Sequence, residues 1–130
     1  MAYIRLAEVE ADLKNAVARH GIGHLLSVDI AVVYNPDSRS RAVARIWGLN
    51  KIFQEVYGLR PLYVVELLSH FAELSCEARV RAVAHELAHI PSTGSGALRP
   101  HNRYFWRDYR RYVRLFKCDD FPSLKKQLQA

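Results

Sequence analysis

Cysteine is scarce in this chain, with only Cys76 and Cys118 among 130 residues. That excludes a disulfide-framework fold and a four-cysteine zinc site, and whether the two pair depends on where the fold puts them. Six Gly and five Pro are too few for a collagen-like or low-complexity chain. Long apolar runs are missing as well. Stretches such as Pro61–Val65 and Ile30–Tyr34 fall well short of the roughly 18 residues that a membrane span requires. Glu8, Glu10 and Asp12 stand where a secretory signal would be apolar, so a cytoplasmic protein without membrane association is expected. Half the residues are apolar and a quarter are charged. This is the balance of a globule, and the length fits one domain over residues 1–130.

Acidic residues are nearly absent from one stretch. Arg99, Arg103, Arg107, Arg110, Arg111, Arg114 and Lys117 face the single acid Asp108, so Arg99–Lys117 carries the entire net charge of +6. Within it, Asn102–Phe116 has the spacing of an amphipathic helix. Phe105, Tyr109, Tyr112, Val113 and Phe116 form one stripe, and the arginines occupy the rest. Two readings fit such a face. Either the long basic side chains form a solvated cover over an aromatic core, or the segment contacts nucleic acid or another anionic partner.

Elsewhere the pattern predicts an α+β chain. Arg5–Arg19 reads as an N-terminal helix, with Leu6, Val9, Leu13, Ala16 and Val17 three or four residues apart. Ser27–Tyr34, Ala42–Leu49 and Arg60–Glu66 read as strands of a small, mainly antiparallel three-stranded sheet. A short helical turn is expected near Leu67–Leu74. Ser75–Ile90 is the clearest helix: Ser75 suits an N-cap, Glu77 suits the first turn, and Pro91 ends it. The flexible run Ser92–Gly96 follows, and Ser92–Leu98 reads as a rim or small lid.

That helix contains His85-Glu86-Leu87-Ala88-His89. Histidines four apart on a helix face the same way and can share one metal ion, while Glu86, turned by about 100°, stands beside them as a base. Val80, Val83, Leu87 and Ile90 fall on the opposite side as the buried face. Ala78 and Ala82 leave room on the histidine side. Catalytic zinc takes three protein ligands and an open position. His101 is the best third ligand, because a chain stopped at Pro91 can fold back through the glycine-containing loop. His20 and His24 read as turn or surface residues, and His70, near the expected start of the metal helix, as a non-ligand.

The run His85–Pro91 followed by Gly96-Ala97-Leu98-Arg99-Pro100-His101 resembles the metallopeptidase family found in archaea and phages. More broadly it is similar to minimal gluzincin-like and SprT-like zinc proteases. The likeness extends through Ser38–Leu49 and Tyr63–Leu67 and covers about Asp29 to Phe116. It implies a minimal zincin-like fold, zinc at His85, His89 and His101, and hydrolysis of peptide or protein substrates. The chain departs from metzincins, since Ser95 stands where their third histidine would lie and Met1 is the only methionine. It also lacks the cysteine-rich ribbon of some SprT-like proteins.

On this reading zinc lowers the pKa of its bound water toward roughly 7. Glu86 takes the proton as the water attacks and passes it to the leaving amine. Tyr104 is the first candidate for oxyanion stabiliser, with Arg103 or Arg99 behind it. Two alternatives stand beside this one: a nucleic-acid-associated protease acting on DNA-bound proteins, and a noncatalytic zinc-stabilised interaction module.

Overall fold

The computed structural model describes residues 3–128. Its elements in order are β1 (Ile4–Arg5), α1 (Ala7–Arg19), α2 (Gly23–Leu26), β2 (Asp29–Asn35), β3 (Ala44–Gly48), α3 (Lys51–Tyr57) and β4 (Leu62–Leu68). A 3-10 turn at Ser69–Glu73, then α4 (Cys76–Leu87), α5 (Arg103–Leu115) and two short 3-10 turns complete them. The strands form one sheet in the order β1-β2-β4-β3.

The sheet differs from the expected one. It has four strands, and its central pair is parallel, with Asp29 opposite Leu62 through to Asn35 opposite Leu68. Only the outer pairs, β1 with β2 and β3 with β4, are antiparallel. The cause lies in β4. Its sequence is apolar apart from Glu66, and a strand of that kind gains most from a central position covered by neighbours. It therefore inserts between β2 and β3, which leaves β3 as an edge strand. Glu66, 1% exposed, ties three strands together. Its carboxylate accepts hydrogen bonds from Asn35 Nδ2 on β2 (2.9 Å) and from Arg45 Nε and Trp47 Nε1 on β3 (2.9 and 2.8 Å).

The core lies on the other face of the sheet. Val9, Leu13, Ala16 and Val17 of α1, and Val80, Val83, Ala84 and Leu87 of α4, pack in one cluster with Val32, Tyr63, Val65 and Leu67. The stripes predicted for both helices are thus the ones buried. The α1 helix begins at Ala7, because Leu6 and the residues before it extend along β2, where the Leu6 amide donates to Val32 O (2.9 Å). α3 escaped the sequence reading, and none of its residues is buried. Without a buried stripe, local spacing carries little helical signal. No helix among the described residues is long and apolar enough to cross a membrane.

Two links hold α4 to the C-terminal segment. Cys76 and Cys118 form a disulfide with their Cα atoms 6.0 Å apart. Buried Arg79 donates from Nη1 to Leu124 O and Lys126 O (2.9 and 2.8 Å) and from Nη2 to Ala72 O (2.7 Å). The disulfide closes a loop over a sequence separation of 42. Replacing both cysteines by serine is expected to lower unfolding free energy by about 2–4 kcal/mol, chiefly by freeing the unfolded chain. Denaturant titration of the variant against the oxidised protein measures this.

Candidate metal centre

The site is assembled at the end of α4 and the start of α5. Ser75 caps α4, its hydroxyl accepting from the Ala78 amide (3.2 Å). His85 lies in the last turn of α4 and His89 two residues past its end. The helix was expected to run to Ile90. Instead the His89 and Ile90 amides donate to Glu86 O and Leu87 O (3.1 and 3.0 Å), a tighter three-residue pattern. Pro91 explains this, because the residue before a proline disfavours the α conformation.

The segment after Pro91 then folds back, and its course is fixed by contacts that sequence spacing does not show. Tyr63, fully buried in β4, accepts from the Gly96 amide (2.8 Å) and donates to Ala97 O (2.9 Å). Gln54 of α3 donates to Ser95 O (2.8 Å) and to Leu49 O (2.9 Å). Gly96 has φ +94, a conformation that favours glycine. Opposite it, a Cβ on Gly48 would overlap the Gly96 carbonyl. Gly48→Ala is therefore expected to cost about 1–3 kcal/mol of stability, as other overpacked sites do. A thermal melt checks it. Ser92–Leu98 is thus pinned to β4 and α3 rather than free.

Arg99 completes the return. Its amide donates to His89 O (2.8 Å), its Nε to Ala88 O (2.8 Å) and its Nη2 to Asp108 Oδ2 on α5 (2.6 Å). Its carbonyl faces His89 Nδ1 at 2.7 Å. A carbonyl only accepts, so Nδ1 carries the proton and the lone pair of His89 is on Nε2. Arg99 is thus engaged as a clasp between α4 and α5, and is not a group free to stabilise an oxyanion. Asn102 caps α5, accepting from the Tyr104 and Phe105 amides (3.1 and 3.0 Å). This leaves His101 just outside the helix start.

His85, His89 and His101 come together here, with one ring nitrogen of each lying within 4.8 Å of the others. Phe105, fully buried, supports all three. Its ring centroid is 5.0 Å from His85, 4.7 Å from His89 and 4.6 Å from His101. Trp106 stands 5.9 Å from His101 and Tyr109 5.7 Å from His85. His85 and His89 are half-buried and His101 is exposed, so the cluster opens to solvent on the His101 side.

Burial, together with neighbouring positive charge, lowers the pKa of His85 and His89. The lowered pKa favours the neutral imidazole, the form that donates to a metal. Glu86 is 8% exposed, and burial pushes its carboxyl up to about 7. A dication held by the adjacent histidines would favour its ionised form.

The other sequence-predicted residues lie elsewhere. Tyr104 is exposed, and its hydroxyl accepts from Arg103 Nη2 (2.9 Å). The guanidinium groups of Arg103 and Arg107 lie 4.9 and 5.4 Å from its ring centroid. His20 faces Asp120, His24 faces the Tyr112 hydroxyl and His70 faces Glu73. Among the described residues, a separate cleft of about 600 Å³ between α1, α2 and β2 includes none of the three clustered histidines. The Arg99–Asp108 clasp and the Phe105 support were missed. The lone acid Asp108 inside a basic run was the one sequence signal for them.

A family model described as "Putative phage metallopeptidase" matches residues 1–129. No curated protein and no solved structure matches the chain.

Proposed function

The chain belongs to the phage metallopeptidase family, and we propose that it hydrolyses peptide bonds as a zinc-dependent enzyme. The convergence of three imidazoles, with the buried Glu86 next to His85 in the chain, carries this reading. The donor set fits zinc. Three imidazoles supply three ligands, and a catalytic zinc site uses three with one position left open. A structural site closes with four, and no fourth His, Cys, Asp or Glu joins the cluster among the described residues. Both cysteines are consumed by the disulfide. This favours an enzyme over a noncatalytic module.

His85, His89 and His101 would hold the ion. Zinc when bound supplies a Lewis acid that acidifies water and polarises a carbonyl. Glu86, next to His85 in the chain, takes a proton on its carboxylate and releases it to the leaving amine. Low exposure of Glu86 keeps bulk water from competing for that proton. The Arg99 carbonyl orients His89, and Phe105 keeps the three rings from turning away. Tyr104 serves as oxyanion stabiliser in this proposal only if its ring leaves the two guanidinium groups. Edge strand β3 offers unpaired backbone groups to an extended substrate.

Hydrolysis of an unfolded protein such as reduced, alkylated lactalbumin tests the reading. Activity should require zinc, vanish with 1,10-phenanthroline and return on adding zinc. Zinc-loaded protein with no activity on unfolded proteins or peptide libraries would refute it.

A further inference from the structure

The arginines on the outer face of α5 are not among the clustered metal-site histidines, although Trp106 at the edge of that face lies 5.9 Å from His101. On a helical projection, Arg103, Arg107, Arg110, Arg111 and Arg114 fall within an arc of about 100°. All five are exposed. Phe105 and Tyr112 lie opposite, fully buried. Asp108 points toward the core, where it is occupied by Arg99 and Arg107. Arg110, Arg111 and Arg114 make no ion pair among the described residues.

A solvated helix face needs polarity, not one sign of charge. Arginines three and four apart repel each other, and each such pair weakens the helix. An anion laid along the face removes that penalty. The stripe runs about 16 Å along the axis, enough for several consecutive phosphates, and guanidinium forks match phosphate oxygens. Arg103 and Arg107 are held over the Tyr104 ring, which fixes them along the stripe. Trp106, 39% exposed, borders the stripe on its other side and offers an aromatic surface.

We propose that this face binds single-stranded nucleic acid, its phosphates along Arg103–Arg114 and a base against Trp106. A membrane surface fits less well, because an interfacial helix must insert its apolar face and that of α5 is spent in the core. Stacking on Trp106 separates a nucleic acid from an acidic peptide. The proposal stands independently of peptidase activity.

Fluorescence anisotropy with a labelled 20-nucleotide single-stranded DNA, from 50 to 200 mM NaCl, tests it. Affinity should fall with salt at a log–log slope of about −3, as expected for neutralising four or five phosphates on a single strand. Arg110→Gln/Arg111→Gln/Arg114→Gln should flatten the slope by about 2 and weaken binding at least tenfold at 50 mM NaCl. Trp106→Ala should weaken binding by about tenfold through lost stacking. Thermal melts confirm that both variants are folded. Absence of binding at 50 mM NaCl, equal affinity for poly-L-glutamate or anionic vesicles, or a triple variant that binds like the parent would overturn the proposal. An equally tight duplex, or no effect of Trp106→Ala, would overturn the single-strand assignment.

Discussion

Glu86→Gln is expected to lower peptide hydrolysis by about 10²–10⁴-fold, the usual contribution of a positioned general base, while zinc stays bound. Glutamine has the same length and a similar shape, so the buried position beside His85 remains filled. Its amide cannot accept and return the proton. His85→Ala removes one of the three converging imidazoles and should lose both zinc and activity. Comparing zinc content and turnover in the two variants separates metal binding from proton transfer. A fully active Glu86→Gln enzyme would show that another group is the base.

Asp108→Ala is expected to cost about 3–5 kcal/mol of stability, the range seen when one partner of a buried ion pair is removed. The Asp108 and Arg99 side chains are only 7% and 9% exposed. Burial by itself would raise the Asp108 carboxyl. The hydrogen bonds from Arg99 and Arg107, together with their charges, outweigh it and hold the pKa below the ordinary value. The stabilisation is therefore complete above the unfolded pKa of about 3.9 and is lost as pH falls through the lower folded value. The alanine variant should accordingly lose part of the parent's acid sensitivity. Because Arg99 also contacts His89 and Ala88, a weaker clasp should reduce zinc affinity without touching a ligand. Guanidinium titrations at pH 7 and at pH 3 measure the first effect, and competition with a zinc indicator measures the second. A variant as stable as the parent would mean that Arg99 finds another partner.

The parts legible in the sequence are those set by local rules. Ser75 and Asn102 cap the helices they were expected to start or adjoin, and the buried stripes of α1 and α4 follow the helical period. Pro91 and the glycines of the following loop announced a reversal, and the chain does return so that His101 meets the other two histidines. The parallel pairing of β2 with β4 was not legible. Strand order depends on which strand gains most from burial across the whole sheet, and alternation along one strand does not encode its neighbours. The clasp from Arg99 to Asp108 was hidden for a similar reason. Both lie in a segment whose overall charge suggested a surface, and only the packing of α4 against α5 turns one pair inward. Tyr104 shows the converse limit. Its position after His101 suggested chemistry, yet its ring is engaged by two arginines on the outer side of α5.

X-ray absorption at the zinc edge of the loaded protein probes the site most directly. The account predicts one zinc per chain in a sulfur-free shell of three imidazoles and one exchangeable oxygen or nitrogen, with one imidazole lost in His101→Ala. A shell that contains sulfur, is closed by four protein ligands, or is unchanged in His101→Ala would contradict it.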